Sequence, residues 1–316
     1  MMSEILEQTT FLNDVISGLR SKPKRISSKY FYDQKGSEIF QQIMGMEEYY
    51  LPTCEKSILE NESEKIAAML ESNSIHVLEL GAGDGTKTSI ILEKFMETGK
   101  NIHYFPMDIS ADILKFNQKT LANQLPQLAV TPIAGDYHQT LKEFPRAEET
   151  KLILFLGSNV GNFKPQEAIE FLRFVKECMD PGDHFLLASD LKKNPSQILR
   201  AYSDPGGLTK QFNMNLLDRI NRELDGDFDL KAFDHYATYN PLDGLAQSFL
   251  VSLKDQEVNI GGTTFHFDRY EVLHTEISKK YSSDELKQLM ETAGFKFKKM
   301  FYDPENWYTL ALGEAI

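Results

Sequence analysis

The 316-residue chain carries 34 Lys and Arg against 47 Asp and Glu, a net charge of −13, and is long enough that two domains are expected rather than one. So acidic a surface repels phosphate backbones and anionic lipid, which disfavours nucleic acid and membrane surfaces as partners and favours a small or zwitterionic molecule. Cys54 and Cys178 have no metal-ligand spacing, none of the seven histidines stands in a zinc-like pattern, and no apolar run is long enough for a bilayer, so no metal, disulfide framework or membrane span is expected.

The opening residues Met1-Met2-Ser3-Glu4-Ile5 lack a basic region followed by an apolar one, and the expectation is a monomeric, cytoplasmic protein. Residues 1–52 read as helices and loops with aromatic clusters at Tyr30-Phe31-Tyr32 and Tyr49-Tyr50. The spacing of Cys54, Ile58, Leu59, Ile66 and Met69 predicts a helix. Ile75 to Leu80 reads as a buried strand, Gly81-Ala82-Gly83-Asp84-Gly85 as a tight turn and Thr86 to Met96 as a helix. Further strands are expected at His103–Asp108, Leu128–Ile133, Lys151–Leu156 and Phe185–Ala188, with helical segments such as Glu167–Met179 between them. That alternation predicts a mostly parallel sheet in a doubly wound α/β fold.

The pattern breaks near Asn194-Pro195. Polar, aromatic-rich helices follow, then a β-rich stretch with strands at Ser248–Leu253 and Arg269–Ile277 and a Gly261-Gly262 turn between them. Alternation puts Glu276 and Ser278 on one face, and Asp234-His235 reads as a helix-cap region. Ser282-Ser283 starts a helix that Gly294 ends, and strands around Lys296–Phe301 and Tyr308–Leu312 finish the chain. Residues 1–52 plus 196–281 are therefore read as a substrate-binding domain, and 53–195 plus 282–316 as the α/β domain.

Glu79-Leu80-Gly81-Ala82-Gly83-Asp84-Gly85 closes a strand and opens a helix, where glycines allow positive φ and close approach of a ligand to the backbone. Dinucleotide and methyl-donor sites share such turns, but this spacing lacks the third glycine of a pyrophosphate site. Asp108, at the end of the next strand, is suited to accept both ribose hydroxyls of a nucleoside. Asp136 and Tyr137 offer a carboxylate for an adenine amino group and a ring to pack on it. Lys87, just past the turn, is a candidate partner for a methionine carboxylate. Ligands of open α/β sheets bind at such strand ends, and the set points to S-adenosylmethionine, with S-adenosylhomocysteine as product, in a Rossmann-like class I methyltransferase fold.

Five separated motifs extend the reading. They are Lys29-Tyr30-Phe31-Tyr32-Asp33-Gln34-Lys35-Gly36-Ser37, Glu48-Tyr49-Tyr50, Gly157-Ser158-Asn159-Val160-Gly161-Asn162-Phe163, Ala201-Tyr202-Ser203-Asp204-Pro205 followed by Phe212-Asn213, and Thr275-Glu276-Ile277-Ser278. Through them the chain resembles, over nearly its full length, the histidine Nα-methyltransferases that make trimethylhistidine for ergothioneine biosynthesis. The resemblance implies a donor site of Gly81, Gly83, Lys87, Asp108, Asp136 and Tyr137, with Glu79 beside it. It implies that Tyr32, Tyr49, Asn162 and Tyr202 surround the α-amino and α-carboxylate groups of an amino-acid substrate, that Glu276 and Ser278 hold its imidazole, and that Phe40 lines the pocket. Asn159 stands where the family often has Thr, and Gln247-Ser248 where it commonly has Ile-Glu-Met. Both departures bear on which side chain is accepted, so tryptophan or tyrosine stays open as the acceptor, as does an inactive donor-binding interaction protein.

Methyl transfer to an amine needs alignment and a free lone pair rather than a nucleophilic side chain. The sequence agrees, offering no Ser-His-Asp arrangement. Hydroxyl and amide groups such as Tyr49 and Asn162 suit a neutral amine and tolerate the loss of N–H donors as methyl groups accumulate.

Overall fold

The computed structural model describes residues 2–145 and 149–316. It divides into two compact units, one of residues 1–50 and 193–278 and the other of residues 51–192 and 279–316. The first unit begins with α1 (Met2–Arg20), β1 (Lys24–Arg25) and α2 (Gln34–Met44). The second takes over with α3 (Leu51–Met69), β2 (Ser74–Leu80), α4 (Thr88–Glu97), β3 (Asn101–Asp108) and α5 (Ala111–Gln124). It continues through β4 (Ala129–Val130), β5 (Ile133–Ala134), α6 (Tyr137–Glu143), β6 (Thr150–Phe155), α7 (Pro165–Glu177) and β7 (His184–Asp190). The chain then returns to the first unit with α8 (Pro195–Tyr202), α9 (Leu208–Leu224), β8 (Phe233–Asn240), β9 (Leu245–Ser252), β10 (Gln256–Ile260), β11 (Thr263–Phe267) and β12 (Val272–Lys279). Helix α10 (Ser283–Thr292) and strands β13 (Phe295–Tyr302) and β14 (Tyr308–Ala315) close the second unit.

In the second unit the strands lie in the order β13-β14-β7-β6-β2-β3-β4, with β5 also on β3. Strands β2 to β7 pair in parallel, whereas β14 and β13 add on antiparallel. The parallel strands read as unbroken apolar runs because helices cover both faces of such a sheet. Leu78, Leu80, Ile153, Phe155, Phe185 and Leu187 pack with Phe171, Leu172 and Val175 of α7 and with Leu286, Leu289 and Met290 of α10. A capping box, Ser282 with Glu285, starts α10. The succession from β2 runs outward through β3, and from β6 outward through β7, so the gap between β2 and β6 is where the strand order reverses. Open α/β sheets bind their ligands there, outside the carboxyl ends.

The first unit packs Phe11, Val15 and Leu19 of α1, Ile39 and Ile43 of α2, and Phe212, Leu216, Leu217 and Ile220 of α9 against a sheet ordered β1-β12-β9-β8. Gly36 lies so close to the preceding loop that a Cβ would meet the Phe31 carbonyl oxygen at 1.8 Å, which accounts for glycine two residues into α2.

Two local expectations need correction. Leu128–Ile133 is not one strand: β4 pairs with His103 and Tyr104 and β5 with Met107 and Asp108, and Pro132 between them has no N–H to give the ladder. Asp234-His235 is not a helix cap but the start of β8, the capping of the short turn Leu230–Ala232 falling to Asp229. The Gly261-Gly262 turn lies between the two expected strands, where it closes a hairpin of its own, β10 with β11.

Candidate active site

At the carboxyl end of β2 the chain leaves the sheet through Gly81, Gly83 and Gly85, all at positive φ. The turn is held from β3: the Gly81 and Ala82 N–H groups donate to the Met107 carbonyl at 2.9 and 3.0 Å. The Gly83 N–H donates to Asp108 Oδ2 at 3.0 Å. Among the described residues, no atom beyond the chain neighbours lies within 4 Å of where a Cβ at Gly81 or Gly83 would stand, so the turn presents bare backbone. Asp108, partly buried, accepts also from the Ser110 N–H and keeps lone pairs for a diol. The Gly135 N–H donates to the Asp108 carbonyl at 2.9 Å, bringing the next strand end alongside. There Asp136 caps α6 through the His138 N–H, and the Tyr137 ring packs on Phe155 and Phe171. A bare turn, a carboxylate at the second strand end and a carboxylate with a ring at the third fit a nucleoside carrying a short polar tail.

Two expected donor-site residues face other partners. Glu79 is buried, as are its neighbours on both faces at the end of β2. Its carboxylate accepts from the Thr88 hydroxyl at 2.7 Å and from the Tyr104 hydroxyl. Burial is the main reason that its pKa is raised to about 7, the two hydroxyl hydrogen bonds opposing the shift. Lys87 stands beside the turn, but its ammonium is paired with the wholly buried Glu55. At the end of β6, Ser158 adopts a left-handed φ of 60° and its hydroxyl accepts from the Asp190 N–H at 2.8 Å. This redirects the chain into the single turn Asn159–Asn162. Asn159 there donates to the Leu156 carbonyl at 3.0 Å, and Asn162 is exposed.

The first unit gathers the other set. The rings of Tyr32 and Phe40 lie 5.3 Å apart, Phe40 and Tyr49 6.1 Å, and Tyr49 and Tyr202 6.5 Å, all edge to face. Phe212 of α9 packs on both Tyr32 and Phe40. The Tyr202 hydroxyl donates to Ser278 Oγ at 2.8 Å. On the same face of β12, Glu276 accepts from the Ser248 hydroxyl of β9 at 3.1 Å. Tyr32 is half exposed as a whole residue, but desolvation of its hydroxyl, then the Glu276 carboxylate, then Tyr202 raise its pKa, so it remains neutral. Aromatic walls, the hydroxyls of three tyrosines and two serines, and one carboxylate make a surface for a flat polar group.

Residues 11–315 match the model of a family described as histidine-specific, S-adenosylmethionine-dependent methyltransferases. The chain belongs to this family. It is 35% identical over 301 residues to a histidine N-alpha-methyltransferase of Mycobacterium tuberculosis, covering 95% of this chain and 93% of that one. A histidine N-alpha-methyltransferase of Mycolicibacterium smegmatis is 32% identical with the same coverage. More distantly, an L-tryptophan methyltransferase of Psilocybe serbica is 27% identical, covering 94% of this chain and 90% of its own. The fold and the enzyme class follow: this methyltransferase takes its methyl groups from S-adenosylmethionine and acts on a small molecule.

Sequence reasoning missed Glu55 and Asn117, and it quoted Phe212 within a motif without placing it on Tyr32 and Phe40. Glu55 shares a helical face with Leu51, Ile58 and Leu59, all buried, and an acidic residue within an apolar stripe is the signal that could have found it. Asn117 is buried on α5 and donates to the Gly83 carbonyl at 3.1 Å. Within the motifs, Asp33 is the N-cap of α2, and Asp204 accepts from the Leu208 and Thr209 N–H groups that open α9, whose N-cap is Gly207. Asn213 accepts from Thr275 at 2.8 Å and ties α9 to β12.

Proposed function

We propose that this methyltransferase modifies the α-amino nitrogen of L-histidine, in up to three rounds giving trimethylhistidine, as a cytoplasmic monomer serving ergothioneine biosynthesis. The observation that carries the reading is the β12 face, where Glu276 and Ser278 stand beside Tyr202 and Tyr32 in a member of a histidine-specific family. Glu276 would accept the imidazole N–H and Ser278 would share a hydrogen bond with the ring. An apolar side chain would leave that carboxylate without a ligand partner, the kind of mismatch that sites of this type reject.

Bound S-adenosylmethionine supplies an electrophilic methyl carbon on a positively charged sulfur. In the second unit, Asp108 would hold the ribose hydroxyls, Asp136 and Tyr137 the adenine, and Lys87 the methionine carboxylate, with Gly81 and Gly83 giving their backbone to the tail. Asn162 and Asn159 would offer amides, and in the first unit Tyr49, Tyr32 and Tyr202 would offer hydroxyls, with Phe40 as an apolar wall. These neutral groups orient an uncharged amine and do not trap its ammonium form, which has no lone pair. Each round forms one N–C bond and breaks one C–S bond, while the amine proton leaves to solvent. The alternative acceptor, tryptophan, also carries a ring N–H, and Ser248 already gives Glu276 one donor of its own. Calorimetric titration decides between them: S-adenosylhomocysteine first, then histidine, tryptophan and tyrosine in turn. Saturable binding of histidine in preference to the other two supports the proposal; preference for tryptophan or tyrosine, or binding of none, refutes it.

A further inference from the structure

We infer that Glu55 is a positioning residue for the amino-acid tail of the methyl donor, acting through Lys87 and the strand end at Gly157. The inference rests on the reading that the glycine turn and Lys87 hold that donor. Glu55 projects from α3 and is 0% exposed, so it cannot touch a ligand itself. Its Oε1 accepts from the Gly157 N–H at 2.7 Å and from the Tyr308 hydroxyl at 2.8 Å, and its Oε2 accepts from the Lys87 ammonium. One carboxylate thereby joins four pieces of the second unit: α3, the turn after β2, the end of β6 and β14. The two strand ends that it joins, β2 and β6, flank the point where the strand order reverses, which is where an open α/β sheet takes its ligand.

Tyr308, like Glu55, is wholly buried, whereas Lys87 keeps 36% of its side chain exposed. Of the three side chains in the network, only that of Lys87 is exposed enough to reach a ligand. A lysine on a four-carbon stem loses rotamer freedom when it grips a carboxylate; pairing with a fixed Glu55 restricts that stem before the ligand arrives. A charge left buried and unpaired is strongly unfavourable, so Glu55 in turn needs Lys87 beside it. Two further acidic groups face the same lysine, Asp84 in the turn and Glu79, but Glu79 is already engaged by Thr88 and Tyr104 and Asp84 accepts from the Thr86 N–H.

The alternative is that Glu55 merely staples α3 to the sheet. The two roles separate on ligands that do or do not carry the tail. The full chain is titrated calorimetrically with S-adenosylhomocysteine and with 5′-methylthioadenosine, which has the same nucleoside and sulfur but no amino-acid group. Glu55→Gln keeps the shape and removes the charge; it is expected to weaken S-adenosylhomocysteine by about tenfold or more, the usual worth of one charge-assisted hydrogen bond, and to leave methylthioadenosine within about twofold. Tyr308→Phe keeps the charge and removes one of its anchors, so a smaller loss, again confined to the tailed ligand, is expected. Thermal melting identifies a Glu55→Gln chain that does not fold, in which case Tyr308→Phe decides. Equal weakening of both ligands, or unchanged or tighter binding of S-adenosylhomocysteine, overturns the inference. A native chain that binds neither ligand overturns the donor-site reading itself, and the inference with it.

Discussion

Gly85→Ala tests how the donor turn is built. Gly85 has φ +74°, and a Cβ there would lie 2.7 Å from Asn117 Nδ2, 2.8 Å from its Cγ and 2.9 Å from its Oδ1. A left-handed conformation costs an alanine about 1–2 kcal/mol. Asn117 is 0% exposed and cannot swing to solvent, so it must give up its bond to the Gly83 carbonyl, about 1 kcal/mol. Crowding a packed interior adds about 1–3 kcal/mol. The sum is about 3–6 kcal/mol, an upper range if the turn cannot relax. Urea unfolding of Gly85→Ala, Asn117→Ala and the double variant separates the parts. Removing the amide makes room for the methyl group, so the double variant should be more stable than the sum of the single losses predicts by about 1–3 kcal/mol. Strict additivity, or a Gly85→Ala loss below about 1 kcal/mol, would refute the argument that Asn117 braces this turn.

Glu79 gives a pH dependence. Its pKa in the folded chain is raised to about 7, so the folded state binds the proton more tightly than the unfolded one. Its contribution is greatest below the ordinary carboxyl pKa and declines as pH rises from about 4.5 to 7, by an amount on the order of 3 kcal/mol. Glu79→Gln should therefore gain stability relative to the native chain between pH 5 and pH 8 in denaturant titrations; a difference that does not change with pH would contradict this. In the acceptor set, Glu276→Ala or Ser278→Ala should lower kcat/KM for histidine by about 10- to 100-fold. S-adenosylhomocysteine affinity should stay within about twofold, and equal loss of both would count against the assigned roles.

The parallel strands were legible because β2, β3, β6 and β7 are buried on both sides and show as apolar runs. The donor turn was legible because positive φ demands glycine at Gly81, Gly83 and Gly85, and because Asp108 follows at the next strand end. Local sequence could not show that Glu79, one residue before the apolar end of β2, would find Thr88 and Tyr104 waiting inside. Nor could it pair Lys87 with Glu55, 32 positions away. Tyr32, Tyr49, Tyr202 and Glu276 come from a loop, a second loop, a helix end and a strand. No periodicity links them, and although the aromatic clusters and the β12 face were visible separately, only the family resemblance grouped them as one set. Strand β8 was misread because its buried positions, Phe233 and Ala237, lie four apart, which mimics a helical rather than an alternating pattern.

The central claim is that the α-amino group of histidine is the acceptor. Incubation of the full chain with histidine and S-adenosylmethionine carrying a deuterated methyl group, followed by mass spectrometry of the products, tests it directly. Histidine bearing one, two and finally three labelled methyl groups, all on the α-nitrogen by fragmentation, is expected. Label on the imidazole, or on tryptophan or tyrosine but not on histidine, would contradict it.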